Sequence, residues 1–466
     1  MGTLTSLLNI ASEALLADQV ALNATANNVA NQNTPGYTDE VVNFQSGDAV
    51  SLSGNTQSSG VTATVVSQRD RVLEQRVQQQ TQTVSQSGAL QSALQQVENI
   101  FGLSSTSTSA SSTTLGTDLN SFFSSLSALA SSPSNTTQQA VLAAANTLAG
   151  DFNSAANQLS QVSSSLNQEV SGDVGQVNSL TSSIASLNGQ IASVSPNGDA
   201  GTLEDQRQED LDQLSQLVGL DQITTSQNGI SLTTSSGAVL VSGNQSFAMG
   251  TTQVGGNTDV LAGDPPSDVT SNLAGGDLGG TLQARDQYLP AYSNALDSLA
   301  YAIGTQVNQQ NEQGIDGSGN AGQAIFTLPS SATGAAASIQ VSATSPGAIA
   351  SASSGEGSSG NTNATALANL SNANMVGSQT ATGFLASFLA QVGSDTSGVT
   401  TNNTAQQAAL TQLTTQRDSL SGVSLDQEAS NLTQYQRSYQ AASQVFTIVD
   451  SLMASAINLG EETTVT

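Results

Sequence analysis

The 466-residue chain contains no cysteine, histidine, lysine or tryptophan. Those absences exclude disulfides, Cys/His zinc sites, thiol nucleophiles, Ser-His dyads, Schiff-base lysines and the lysine of a phosphate-binding loop. Charge is scarce as well: 9% of residues are charged, against roughly 25% in an average protein. What charge there is has one sign, with seven arginines set against 35 carboxylates for a formal net charge of -28. A chain this acidic is a poor partner for nucleic acid or for an anionic membrane surface, both of which need clustered basic residues. No apolar run approaches the roughly 18 residues of a membrane-spanning helix. The N-terminus also lacks the basic start and apolar core of a secretory signal. The expectation is a soluble chain, or one exported by a route that uses no cleaved signal peptide.

What remains is 37% hydrophobic residues, enough for real cores, with polarity supplied mainly by Ser, Thr, Gln, Asn and Gly. The strongest pattern is at the C-terminus. Leu425, Leu432, Tyr439, Phe446 and Met453 recur every seven positions, and Tyr435, Ala442, Val449 and Ala456 form a second row three residues behind. Two such rows make the a/d seam by which one helix lies along another. At the other end Leu8, Leu15, Leu22 and Val29 keep the same step, flanked by Leu4 and Ala11. The two termini are therefore expected to pair, with everything between them inserted.

Between the termini, the first helix stops at Thr34-Pro35-Gly36-Tyr37, because proline disfavours helix for Thr34 and glycine permits positive φ. An extended segment follows over 41–44 and a strand over 61–66. Amphipathic spacing predicts a helix over 70–101, a short helix over 118–130 ended near Pro133, and a long helix from Leu148 to Val194. Gly172 and Gly175 sit inside that last helix and are expected to bend it. Helices over 70–101, 203–218 and 400–421 are its expected neighbours. From 219 to 280 short β-branched runs alternate with Asn228-Gly229, Ser236-Gly237 and Gly243-Asn244, the chemistry of hairpins. Helices are then predicted over 281–310, 364–375, 381–392 and 405–420.

The fold class is mainly α: a terminal helical coiled coil and an elongated helical bundle with inserted β-domains. The expected parts are a terminal coiled coil (1–45 and 421–466) and a helical bundle (46–218, 281–321 and 361–420). The β-domain covers 219–280, and a small β-rich or loose insert covers 322–360.

Few residues invite chemistry. Glu204, Asp205, Glu209, Asp210 and Asp212 could pair as acid and base, but like charges without basic neighbours read as a solvated helix face. Asp316-Gly317-Ser318-Gly319-Asn320 mimics the start of a calcium loop yet lacks its glycine and final glutamate, so it reads as a turn. Gly275, Gly276, Gly279 and Gly280 precede a helix without any lysine, and are read as incidental. No catalytic, cofactor or metal residue is assigned.

The stretch from Ala26 through Asn28, Asn31, Thr34, Pro35, Gly36 and Tyr37 resembles the N-terminal signature of bacterial flagellar axial proteins. Gly279 to Asp286, Leu203 to Arg207, and Ser421 to Ala429 with Tyr435 to Ala441 narrow the resemblance to the hook-associated branch at the hook-filament junction. Asp39 and Glu40 depart from it, standing where the family usually has a basic residue. The resemblance implies a non-enzymatic subunit outside the cell. Its implied partners are further copies in a ring, the hook protein, the next junction protein, and an export chaperone on the C-terminal helix. Another axial subunit, or an extracellular adhesin or cell-wall enzyme with convergent carboxylates, is the alternative.

Overall fold

A computed structural model describes residues 2–34, 36–47, 49–52, 55–58, 60–103, 114–194, 200–224, 229–316, 318–357 and 360–462. Pro35, Asn228, Gly317 and the Ser/Thr loop 104–113 lie outside them. Helices dominate: α1 (Gly2–Asn31), α2 (Arg71–Ile100), α3 (Thr114–Ser131), α4 (Asn135–Val194) and α5 (Gly201–Leu217) precede the main β region. After it come α6 (Gly276–Gln283), α7 (Leu289–Glu312), α8 (Ala335–Ser338), α9 (Thr362–Asn369), α10 (Ala381–Ser421) and α11 (Leu425–Glu462).

The axis of the molecule is α4, 60 residues long, or roughly 90 Å at about 1.5 Å per residue. It begins earlier than the apolar spacing indicates, because a Ser134/Thr137 capping box starts it directly after Pro133. The Thr137 N–H donates to Ser134 Oγ over 3.2 Å, and the Ser134 N–H to Thr137 Oγ1 over 3.0 Å. The helix runs unbroken past Gly172 and Gly175, which lie on its wet face. There a missing side chain costs only about 1 kcal/mol each, while Val170, Val174 and Val177 stay buried on the other side.

Two apolar cores lie along α4. The first joins its N-terminal half, Val141 to Leu166, to α2, α3, α7, α9 and the start of α10. The second joins Val170 to Ala185 to α5, α6 and the main strands. Of the expected neighbours, α5 and α2 both lie against α4, along with α3, whereas the second half of α10 runs along α2. The helices expected at 381–392 and 405–420 are one element, α10. The polar stretch between them stays helical because it is held by α2: Ser87 Oγ donates to Asn403 Oδ1 over 3.1 Å, and Asn403 Nδ2 to Gln91 Oε1 over 2.6 Å.

The strands β5 (Leu220–Thr224), β6 (Ile230–Thr234), β7 (Val239–Ser242) and β8 (Gln245–Ser246) form one sheet in that order. A second holds β9 (Gly250–Val254), β10 (Asn257–Ala262) and β11 (Ser267–Asp268) in the order β11-β10-β9. Asparagines on α4 fasten both, since one amide offers a donor and an acceptor to strand backbone. Asn188 reaches the Ile230 and Gly243 carbonyls at 2.9 and 2.8 Å. Asn178 brackets Met249 at 2.9 and 2.7 Å, and Asn167 accepts from the Thr258 N–H at 2.8 Å. Arg285, 2% exposed, donates to Asn167 and to the Thr258 carbonyl from a π-helical turn, Ala284–Tyr288. Its fork is closed by Asp286 at 2.7 and 2.8 Å. That turn precedes Pro290, which has no N–H to give the preceding helical turn.

The glycines read as incidental before this helix are not. α6 packs on α2 so closely that a Cβ at Gly280 would lie 2.2 Å from the Gln86 carbonyl oxygen. Gly276 has φ +66, and its Cβ would meet Val218 N at 2.2 Å. The insert at 322–357 carries one short pairing, β12 (Phe326–Thr327) with β13 (Gln340–Val341). Ile325, Phe326, Ala335, Ile339 and Ile349 bury themselves in the first core. Asp316 closes a turn, accepting from the Ser318 and Asn320 N–H groups at 2.9 and 2.8 Å.

Candidate assembly interface

The chain's first and last helices lie side by side, α1 along α11. The hairpin of β1 (Glu40–Ser46) and β4 (Val61–Ser67) packs beside them, with Phe44 against Tyr435 at a ring separation of 5.9 Å. A smaller pairing, β2 (Ala49–Leu52) with β3 (Asn55–Ser58), extends from that hairpin.

The seam differs from the expected one in which row it buries. On α1 the covered residues are Ala11, Ala17, Ala21 and Ala24, joined by Asp18, Thr25 and Asn28. Leu8, Leu15 and Leu22 are half-buried along its edge, and Val29 is 40% exposed. The small residues of α1 are thus more buried than its leucine row. On α11, Val449 is buried and Leu432, Tyr435, Phe446 and Met453 are half-buried toward the same contact. Leu425 and Tyr439 face solvent at 48% and 40% exposure. Exposure is thus not confined to the ends of the row, since Tyr439 is its middle member.

The signature after α1 is organised by Asn28, 1% exposed. Its Nδ2 donates to Asp39 Oδ1 at 2.6 Å and to the Glu40 carbonyl at 2.9 Å. Its Oδ1 accepts from the Tyr37 hydroxyl at 2.9 Å and the Glu40 N–H at 3.0 Å. The turn that makes this possible has Gly36 at φ +80, the Thr34 N–H on the Asn31 carbonyl at 2.8 Å, and the Tyr37 N–H on the Thr34 carbonyl at 3.2 Å. Asn31 and Thr34 are joined by their side chains at 3.4 Å, and Pro35 lies outside the described residues. Burial and the neighbouring Glu428 raise the Asp39 carboxyl above its usual range. Burial, with Glu40 and other carboxylates nearby, raises the Tyr37 phenol. Asp39 thus holds the Asn28 amide from the position where the family usually carries a basic residue.

The acidic face of α5 is not simply solvated. Asp205 pairs with Arg69, whose guanidinium lies 3.7 Å from Glu204; Arg71 is 3.9 Å from the same carboxylate. Asp210 accepts from Ser183 Oγ at 2.6 Å, and Gln208 donates to Asp212 at 3.0 Å. Of the five only Glu209 is exposed, accepting from Gln213 Nε2 at 3.5 Å. The basic partners come from outside the helix, so its own sequence could not show them. Glu74 is pushed up to about 7 by burial, against the opposing pull of Arg417. Arg69, Glu74 and Glu204 of this group are little exposed, while the Arg71 side chain is 56% exposed. Among the described residues no helix is long and apolar enough to cross a membrane.

Paired terminal helices enclosing an inserted bundle define a structural subunit of the bacterial flagellar axis. Two family models coincide with the two ends of the pair: flagella basal body rod protein at residues 8–38, and the C-terminal region of the basal body rod FlgEFG proteins at 415–459. A third, the flagellar hook-associated protein FlgK helical domain, matches 94–326. Flagellar hook-associated protein 1 of Bacillus subtilis is 30% identical over 97% of each chain. Its namesake in Escherichia coli is 26% identical over 98% of this chain and 100% of the relative. The solved flagellar hook junction protein FlgK of Burkholderia pseudomallei shares the fold, with a TM-score of 0.67 and 20% identity over 74% of this chain and 99% of that one. The chain belongs to the flagellar hook-associated protein 1 family.

Proposed function

We propose that the chain joins hook to filament: copies form a ring at the distal end of the hook, held through their terminal helices, with no reaction catalysed. The observation that carries this reading is the face that the α1–α11 pair leaves wet. Val445, Ile448 and Leu452 are 47%, 58% and 52% exposed at three-and-four spacing on α11, and Leu16 of α1 is 60% exposed. A second apolar row on an already paired helix fits a further helix, as in coiled coils of higher order. Neighbouring subunits supply it. The ring then touches the hook protein on one side and the next junction protein on the other. In this reading 1–45 and 421–466 form the assembled layer, and the bundle of 46–218, 281–321 and 361–420 stands outside it with the inserts 219–280 and 322–360. Before export, a chaperone covers the same apolar row on α11.

A strain lacking the gene tests the proposal. Electron microscopy should show hooks without filaments, with filament subunits lost to the medium and filaments restored by a plasmid copy. Filaments attached in normal number to the deletion strain would contradict it.

A further inference from the structure

The terminal part, residues 2–67 and 425–462, is joined to the bundle by chain at two places, 68–70 and 422–424. Beside each stands an arginine. Arg69 belongs to the first crossing, and its side chain is 7% exposed. It donates to Asp205 on α5 and, over 3.4 Å, to Thr38 Oγ1 on the terminal side, with Glu204 at 3.7 Å. Arg417 stands one turn before the second crossing, on the bundle side: it pairs with its neighbour Asp418 at 2.9 Å and lies 3.9 Å from Glu74, in the first turn of α2. Asp39 stitches the crossings to each other, its N–H donating to the Ser421 carbonyl at 2.9 Å and its carbonyl accepting from the Gln68 N–H at 2.9 Å.

Burying a guanidinium is costly unless it is paired, and its rigid fork fixes the geometry of whatever it pairs with. In a chain with seven basic residues, Arg69, Arg71 and Arg207 line one cavity of about 30 Å³, with Arg417 beside it on Glu74. Of these, Arg207 serves the bundle itself, donating to Asn188 Oδ1 over 2.9 Å. Neither of the bundle's apolar cores contains a residue from 2–67 or 425–462.

We propose that Arg69 is the positioning residue of this joint: gripping Thr38 on one side and Asp205 on the other, with Arg417 bracing the bundle side of the second crossing against α2, it fixes the direction in which the bundle leaves the terminal pair. This rests on the reading that the terminal pair is the assembled layer. Without the grip, the crossings become a hinge, and the bundle of an assembled subunit no longer holds one orientation.

The test returns full-length variants to the deletion strain and images the flagella by electron cryomicroscopy. For Arg69→Ala combined with Arg417→Ala, the terminal layer should keep its density while the bundle density smears and swimming is lost. Arg69→Lys, which keeps the charge without the fork, should give an intermediate result. Exchanging the pair as Arg69→Asp with Asp205→Arg should sharpen the bundle relative to Arg69→Asp alone. Bundle density as sharp and as oriented as wild type in the double alanine variant overturns the proposal. So does a lowered melting transition of the purified Arg69→Lys chain, which would assign the residue to bundle stability. Absence of the wild-type chain from flagella overturns the reading beneath, and the proposal with it.

Discussion

The Tyr37 hydroxyl donates to Oδ1 of Asn28 over 2.9 Å, closing the chain back onto α1 at a residue nine positions earlier. The same amide holds Asp39 and both polar groups of the Glu40 backbone. Asn28→Ala strands these partners, at about 1–3 kcal/mol for each buried group left unpaired. Swimming should be lost while the melting transition of the inner bundle stays unchanged. Wild-type swimming in this variant would remove the knot from assembly.

Gly36 holds φ +80, where a β-branched residue is strained whatever the surrounding space. Gly36→Val should cost on the order of 1–3 kcal/mol at the turn. It misdirects the chain leaving α1, so motility should fall further than the folding of the bundle. Unchanged motility would contradict this.

Two glycines inside helices should respond with opposite signs. A Cβ at Gly280 meets the Gln86 carbonyl oxygen at 2.2 Å and Leu90 N at 3.0 Å, so Gly280→Ala must separate α6 from α2. Overpacking of this kind costs about 1–3 kcal/mol or more. Gly172 has nothing within 4 Å of its Cβ position, so Gly172→Ala gains helix propensity, about 0.5–1 kcal/mol. Thermal melts of the two variants should move in opposite directions.

The bundle should be more stable in mild acid. Burial is the first cause that pushes Glu74 and Asp173 up to about 7 and Asp277 up to about 6. It also raises Asp151 to about 7, with Asp118 alongside. Folded values above the ordinary carboxylate range mean that the folded state binds protons the unfolded chain has released. That stability is fully present below about pH 4 and is lost as pH rises through about 7. Self-repulsion at a net charge of -28 acts in the same direction. The urea midpoint should be higher near pH 5 than near pH 8, with Asp173→Asn flattening the difference. A midpoint that climbs with pH would contradict the assignment.

Periodicity made the pairing of the two ends legible, along with the strands of the insert, since both rest on local repeats. It could not tell which of two adjacent rows on α1 is buried. Leucines at 8, 15 and 22 look the better seam by hydrophobicity, yet Ala11, Ala17, Ala21 and Ala24 are the more deeply buried. Long-range partners were invisible for the same reason. Arg69 lies 136 residues from Asp205, and Gln86, which gives Gly280 its purpose, belongs to another helix. The polar middle of α10 read as a break because its helix is held by α2, through Asn403, rather than by an apolar stripe of its own.

The central claim is that α1 and α11 are the assembly element, and their exposure as a free pair has a consequence. Side chains at the seam contribute about 2 kcal/mol each when fully buried, but much of this seam is half wet, with Leu432, Tyr435, Phe446 and Met453 only half-buried. Backbone ordering costs about 1–2 kcal/mol per residue, so the pair alone is marginal and neighbours complete it. Amide hydrogen exchange with limited proteolysis, run on dilute monomer and on assembled flagella, compares the two states directly. In the monomer, α1 and α11 should be cut first and exchange fast from Leu432 to Met453 while α4 stays protected; in flagella the same amides should be slow. Slow exchange along α11 in the dilute monomer would contradict the account.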